Sequence, residues 1–168
     1  MLNIVKNTTI FSPFDLLAPH SCRCCGKLGD VLCERCKKYL SFEHKNYCPN
    51  CKTLNPTGKC QNCKNLPPIF VVGERSSLIG NLIHDYKYNS TRALKKPLAE
   101  LLDETLPFID GKVSLVPLPT INRHIRERGL DHTYKITKEL AKLRGKNYKV
   151  ERLLLRSNHA VQVGATEQ

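Results

Sequence analysis

The sequence predicts a mixed α/β protein in two parts, a small cysteine-rich module followed by an α/β domain. Eight of the nine cysteines fall in four C-x-x-C pairs between Cys22 and Cys63. After Pro67 and Pro68, segments with helical and strand periodicity alternate along the chain, an order typical of a mainly parallel sheet covered by helices. We therefore divide the chain into a lead-in over residues 1–19, the cysteine-rich module over residues 20–66 and the α/β domain over residues 67–168.

The spacing of the cysteines predicts two zinc sites. Two residues between paired cysteines let a tight turn present both sulfurs to one metal ion, and tetrahedral Zn²⁺ takes two such pairs. The short gaps after Cys25 and Cys51 favour sequential closure, with an interleaved cross-brace as the alternative. The first site then uses Cys22, Cys25, Cys33 and Cys36, and the second uses Cys48, Cys51, Cys60 and Cys63. This predicts a double zinc ribbon and leaves Cys24 surplus. The two ions are expected to be structural, because four-thiolate sites have no open position for a reacting water.

The charge distribution predicts a polyanion-binding surface after residue 120. The formal net charge of +12 is high for 168 residues and points to a partner such as nucleic acid or a phosphorylated ligand. Residues 121–156 carry eleven lysines and arginines against four acids, whereas residues 20–65 carry nine against three. Two four-thiolate zinc sites, each with a net charge of about −2, would neutralise much of the positive charge of residues 20–65. The residues expected to contact nucleic acid are Lys135, Lys138, Lys142, Arg144 and Lys146.

The sequence shows no pattern typical of membrane insertion. No apolar run approaches the ~20 residues that a membrane helix needs, and the lead-in lacks the apolar stretch and cleavage site of a secretory signal. We therefore expect a cytoplasmic protein. In that compartment the thiol pool keeps cysteines reduced, which favours metal thiolates over disulfides.

The elements before residue 107 are predicted from caps and apolar stripes. SPFDLL predicts a short helix capped by Ser12, and IFVVGER predicts a buried strand. SSLIGNLIHDYKY predicts a helix that begins at Ser76 or Ser77. Its apolar face consists of Leu78, Ile79, Leu82, Ile83 and Tyr86. ALKKPLAELLDETL predicts a second helix, with Pro97 either near its start or at a kink.

The elements after residue 111 place a basic loop at the end of a strand. KVSLVPLP predicts a strand of five to six residues, and ligands of open α/β sheets bind beyond the carboxyl ends of such strands. The loop that follows, INRHIRERGLDH, contains Arg123, Arg126 and Arg128, whose guanidinium groups suit phosphate oxygens. A solvated basic turn is the alternative. DHTYKITKELAKLRG then predicts a helix from Asp131 with Ile136, Leu140 and Leu143 inward, and YKVERLLLR predicts a strand.

The ordered set of motifs resembles the competence protein F (ComF) family over about residues 14–168. The set consists of the four C-x-x-C pairs, LIGNLIHDYKYN, SLVPLPTINRHIRERGLDHTYKITKELA and LLLRSNHAVQVGATEQ. It is most similar to the ComFC subgroup, which carries the zinc ribbon. The resemblance implies a type I phosphoribosyltransferase-like domain and a role in natural transformation. In that role such proteins assist the uptake and handling of single-stranded DNA on the cytoplasmic side of the membrane.

The resemblance also implies a site for phosphoribosyl pyrophosphate (PRPP). The loop from VPLP to Arg128 corresponds to the region that faces the pyrophosphate, and Lys87 corresponds to the lysine of the family's helix-ending motif. HAVQVGATEQ corresponds to the flexible hood segment. The departures are Leu130, Asp131 and His132, which stand where the family has an aromatic residue followed by asparagine.

A strand ending in paired acids before a Thr/Gly-rich loop, which holds PRPP in these enzymes, has no counterpart here. The domain is therefore expected to be incomplete at its C-terminus, and catalysis is not assigned. Mg²⁺ with PRPP is expected only if a longer chain supplies that loop. The expected partners are single-stranded DNA and other competence or DNA-processing proteins, which would also place the protein at the inner membrane. The alternatives are an active phosphoribosyltransferase and a zinc-ribbon adaptor for another machine.

Overall fold

The computed structural model describes residues 20–42, 48, 50–51, 53, 60–63, 67–73, 78–89 and 91–156. Over these residues the chain forms five α-helices, one short 3-10 helix and two two-stranded sheets. The strands are β1 (His20–Ser21), β2 (Leu28–Gly29), β3 (Val113–Leu115) and β4 (Tyr148–Val150). The helices are α1 (Glu34–Phe42), α2 (Leu78–Tyr88), α3 (Lys95–Thr105), α4 (Asn122–Arg128) and α5 (His132–Arg144), with the 3-10 helix over Arg92–Leu94. The predicted mixed α/β class is confirmed, whereas the phosphoribosyltransferase-like domain stays a prediction. Within these described ranges, no helix has the length and apolar character needed to cross a membrane.

The first half of the cysteine module is a hairpin followed by a helix. Strands β1 and β2 pair antiparallel, with His20 opposite Gly29. The turn between them closes through Cys22 N–H to the Lys27 carbonyl at 2.8 Å and contains Gly26 at φ 74°, a left-handed conformation that suits glycine. Helix α1 begins directly after Cys33, whose carbonyl accepts the Lys37 N–H at 2.9 Å.

Helix α2 forms where its apolar stripe predicts, and the segment before it does not form a strand. Ile79, Leu82 and Tyr86 are buried, but Leu78 and Ile83 of the same predicted face are about one-third exposed. The buried strand predicted for IFVVGER is wrong over residues 69–73, which are described without any strand. Extended backbone with apolar residues forms a strand only if a neighbouring strand accepts its hydrogen bonds. The lead-in helix and the caps at Ser76 and Ser77 lie outside the described residues.

Helix α3 is the central helix of the described structure. It buries Leu98, Ala99 and Leu101, and Pro97 lies in its first turn, where a missing N–H breaks no helical bond. The alternative of a kink at Pro97 is therefore wrong. α3 packs against α1 on one side and along α5 on another.

The second sheet is parallel, as predicted. β3 and β4 pair with Val113 opposite Tyr148, and α4 and α5 connect them. Asp131 caps α5 by accepting the Tyr134 N–H at 3.3 Å, which confirms the predicted helix start. Both strands are three residues long and therefore shorter than predicted. Leu143, expected inside, is 45% exposed, and the leucines after β4 are exposed in the same way.

The cysteine module and the α/β helices share one hydrophobic core. Leu40 of α1 is fully buried in a cluster that includes Leu82 of α2 and Leu101 of α3. Other members of this cluster from the module are Cys22, Val31 and Leu32, with Cys24, Cys33 and Cys36 packed against it. At the edge, Lys37 Nζ lies 2.7 Å from Glu100 Oε2. The first cysteine pairs therefore fold against α2 and α3.

Candidate metal centres and basic surface

The eight paired cysteines form two separate four-sulfur clusters. In each cluster all four Sγ atoms lie within 4.8 Å of one another. A regular ZnS₄ tetrahedron with Zn–S bonds of about 2.3 Å has sulfur–sulfur edges of about 3.8 Å. The Cys25–Cys33 sulfur distance is 3.7 Å and the Cys51–Cys60 distance is 3.4 Å. The two clusters are therefore compatible with two structural metal ions, and they follow the sequential closure predicted from the spacing.

The first cluster joins the β1–β2 turn to the start of α1. Cys22 and Cys25 lie on the turn, whereas Cys33 precedes α1 and Cys36 lies in its first turn. The Cys33 N–H points to the Cys22 sulfur at 3.5 Å, so the backbone of one pair supports the sulfur of the other. A metal ion bound here would fix the hairpin to the helix. The second pair thus comes from a helix start and not from a second hairpin.

The second cluster repeats the turn of the first. Cys48 N–H donates to the Thr53 carbonyl at 2.9 Å, the same five-residue closure that joins Cys22 to Lys27. The side-chain amide of Asn50 lies 3.4 Å from the Cys63 sulfur.

Local hydrogen bonds favour a thiolate in each cluster. Burial raises the pKa of Cys22, but backbone N–H groups, Cys33 first, outweigh burial and lower the pKa to about 6. The pKa of Cys51 is also about 6, chiefly because the Thr53 hydroxyl lies 3.2 Å from its sulfur. Burial raises the pKa of Cys24 to about 11, and the charge of Cys22 adds to this effect. Cys24 belongs to neither cluster, and it stays a neutral thiol at pH 7.

A cavity of about 250 Å³ lies at the carboxyl ends of β3 and β4, where the sequence predicted a ligand site. Arg152 and Arg156 are its cationic lining residues, and sequence reasoning missed both. Arg152 lies 3.6 Å from Asp131 and stacks over the Tyr134 ring, 4.0 Å from its centroid. Arg123, Arg126 and Arg128 are not among the lining residues. A cavity therefore lies at the strand ends, the three predicted arginines do not line it, and ligand binding there stays a prediction.

Two of these arginines are exposed on α4, and the third contacts α2. Arg123 is 80% exposed and pairs with Glu127 at 2.6 Å, and Arg126 is exposed. Arg128 turns toward α2, where its guanidinium carbon lies 4.7 Å from the centroid of the Tyr88 ring. The positive charges of Lys87 and Arg128 both act on the buried His132, whose pKa is lowered first by burial and then by these two cations.

The lysines predicted to contact nucleic acid are exposed, but Arg144 is not. Lys135, Lys138 and Lys142 lie at helical positions i, i+3 and i+7 of α5, which share one face, and Lys146 follows the helix. The Arg144 side chain is only 6% exposed. It pairs with Asp103 and donates to the carbonyls of Asp103, Leu106 and Pro107 at the end of α3. Arg144 therefore joins α5 to α3 and is not available to phosphate.

No family model, curated protein or solved structure matches this chain. The resemblance in the sequence motifs therefore stays a prediction, and the function is argued from the geometry of the described residues.

Proposed function

We propose that this protein binds single-stranded DNA through the exposed lysines of α5, as a zinc-containing competence protein of the ComF type. In this proposal Zn²⁺ occupies both four-cysteine clusters and holds the fold together. The protein would assist DNA uptake and handling on the cytoplasmic side of the membrane, together with other competence or DNA-processing proteins. We call the surface formed by Lys135, Lys138, Lys142 and Lys146 the α5 lysine face.

The observation that carries the proposal is the separation of charges along α5. The acids of this region point inward: the side chains of Asp131 and Glu139 are only 17% and 16% exposed. Glu139 pairs with Lys95 of α3 at 3.1 Å and with Lys142 at 3.2 Å, so Lys142 is the partly neutralised member of this face. Lys135 and Lys138 are exposed, whereas the side chains of the two acids nearest to them in the sequence are largely buried. A cationic strip of this kind attracts a phosphate backbone without regard to base sequence.

Charge neutralisation on the α5 lysine face tests the proposal. Each phosphate contact on a single strand contributes about −0.7 to the slope of log affinity against log salt, or about fivefold in affinity at 0.1 M salt. The triple variant Lys135→Gln, Lys138→Gln and Lys146→Gln should therefore bind a 20-nucleotide strand about 100-fold more weakly at 0.1 M salt. Its slope should be shallower by about 2. Fluorescence anisotropy over a salt series measures both quantities.

The matched control removes three cations from the metal module. Lys27, Arg35 and Lys38 are exposed there, so Lys27→Gln, Arg35→Gln and Lys38→Gln change the net charge equally. This control should keep the wild-type slope. If the control loses affinity and the α5 variant does not, the metal module is the contact surface and the zinc-ribbon adaptor is the better account.

A phosphorylated small molecule is the second candidate ligand, and the cavity at the end of β3 favours it. Arg152 and Arg156 line this cavity, and by resemblance PRPP with Mg²⁺ would be the compound. Asp131 lies 3.6 Å from Arg152 and offsets its charge, which weakens the attraction for a polyanion. Excess PRPP with Mg²⁺ in the anisotropy assay separates the two sites. We expect DNA affinity to stay unchanged, whereas displacement of DNA would indicate that both ligands use the cavity.

A further inference from the structure

An exposed stack of three side chains lies where α2 ends beside α4. Tyr88 is the last residue of α2, and the residue is 59% exposed. His84 lies one turn earlier on the same helix, with the two ring centroids 4.9 Å apart. From α4, Arg128 places its guanidinium carbon 4.7 Å from the Tyr88 ring centroid and donates a hydrogen bond to the Tyr88 hydroxyl at 3.1 Å. We call these three residues the Tyr88 stack.

Buried neighbouring residues fix the backbone positions of Tyr88 and Arg128. Tyr86, two residues before Tyr88, is buried and meets the ring of His132 edge-on at 5.0 Å, which fixes the end of α2 against the start of α5. Arg128 ends α4 and is followed by Gly129 at φ 71°, where a Cβ atom would come 3.3 Å from the Arg92 guanidinium. Leu130 is then buried. The aromatic ring and the guanidinium group are therefore held in place before any ligand arrives.

Two cations near the Tyr88 stack act on the first residue of α5. Lys87 and Arg128 both act on His132, the first residue of α5, and Lys135 of the α5 lysine face lies three residues beyond it. The two tyrosines within residues 121–156 do not offer such a ring. Tyr148 is buried and Tyr134 is partly buried. Tyr88 is thus an exposed ring beside the cationic strip.

We propose that the Tyr88 stack binds a base of single-stranded DNA whose phosphates lie along the α5 lysine face. The inference rests on the proposed function. A nucleobase presents a flat π-face to an aromatic ring or a guanidinium plane, and such stacking tolerates every base because every base has that face. An unstacked base and its negative phosphates match an exposed tyrosine between cations. A double strand, whose bases are stacked on each other, does not offer this contact.

An abasic strand separates base contacts from phosphate contacts. The zinc-loaded protein is titrated with a 20-nucleotide thymidine strand and with a 20-nucleotide abasic strand of the same backbone. Wild type should bind the thymidine strand about tenfold more tightly, as expected for one stacked base. Tyr88→Ala should bring this ratio close to one, and Tyr88→Phe, which keeps the ring, should retain most of it. The matched control is Tyr39→Ala, because Tyr39 of α1 is 58% exposed, and it should keep the wild-type ratio.

The outcomes distinguish this inference from the proposed function. If wild type binds both strands equally and with a steep salt dependence, base binding by the Tyr88 stack is contradicted, whereas phosphate binding by the α5 lysine face is supported. If neither strand binds with a salt dependence, the proposed function fails and the stack fails with it. A Tyr88→Ala protein that keeps the wild-type ratio of affinities for the thymidine and abasic strands also contradicts base binding by the Tyr88 stack. Should Tyr88→Ala lose zinc, Tyr88→Leu, which keeps apolar volume without a π-face, provides the same comparison.

Discussion

Loss of the metal from the first cysteine cluster is expected to unfold α2 and α3 together with the cysteine module. Structural zinc contributes about 10 kcal/mol or more to the folding of small zinc sites, whereas a whole domain is stable by only about 5–15 kcal/mol. Leu40, Val31 and Leu32 lie in the shared core, and the first cluster joins the hairpin and α1 that carry them. Without that link, Leu82 and Leu101 lose part of their covering. The zinc-loaded protein should contain two ions per chain. In the Cys33→Ser variant, α2 and α3 should unfold together with the cysteine module.

Two cysteine variants provide the controls. Cys24→Ser should keep both ions and wild-type stability, because Cys24 belongs to neither cluster. Cys60→Ser should lose one ion with a smaller effect on α2 and α3, since none of the described residues of the second cluster belongs to the shared core. Elemental analysis counts the ions, and hydrogen exchange follows each helix. An intact α2–α3 core in Cys33→Ser, or loss of metal in Cys24→Ser, would contradict the account.

Replacement of Arg144 by alanine is expected to lower the free energy of unfolding by on the order of 3 kcal/mol. The guanidinium group satisfies the carbonyls of Asp103, Leu106 and Pro107, where α3 ends and its last carbonyls have no helical partner. It also neutralises the Asp103 carboxylate. Alanine leaves all of these acceptors without a donor. Arg144→Lys should recover only part of the loss, because one ammonium group does not reproduce the planar fork of donors.

The neighbouring Lys142 provides the matched control for Arg144. Its side chain is 61% exposed and pairs with Glu139 on the surface, so Lys142→Ala should cost less than about 1 kcal/mol. Urea denaturation of the zinc-loaded proteins compares the variants. In the anisotropy assay, Arg144→Lys should leave the salt slope for single-stranded DNA unchanged. Equal stability of Arg144→Ala and Lys142→Ala would show that the contact with α3 contributes little.

Local sequence signals predicted the features that depend on neighbours in the chain. The two-residue spacing of the cysteines indicated the two clusters, and Asp131 marked the start of α5 through its own side chain. The inward turn of Arg144 was not visible, since its partner Asp103 lies 41 residues away. A basic residue in a lysine-rich helix resembles its exposed neighbours until the packing of α5 on α3 is known.

The cavity and the Tyr88 stack show the same limit. Arg152 and Arg156 reach the cavity because β4 pairs parallel to β3, which brings the segment after each strand to one edge. Tyr88 and Arg128 are 40 residues apart and meet only after α2 and α4 have packed. The segment YKVERLLLR predicted a longer strand, but Leu153, Leu154 and Leu155 lie beyond β4 and are exposed, and no third strand pairs with this sheet within the described residues.

Photo-cross-linking tests most directly where single-stranded DNA binds. A 20-nucleotide strand substituted with 5-bromodeoxyuridine is irradiated with the zinc-loaded protein, and the cross-linked peptides are identified by mass spectrometry. The account predicts cross-links to peptides from residues 84–92 and 128–149, which contain the Tyr88 stack and the α5 lysine face. These cross-links should disappear as salt is raised, because phosphate contacts dominate the affinity. Cross-links confined to residues 20–63 would contradict the account and assign DNA binding to the metal module.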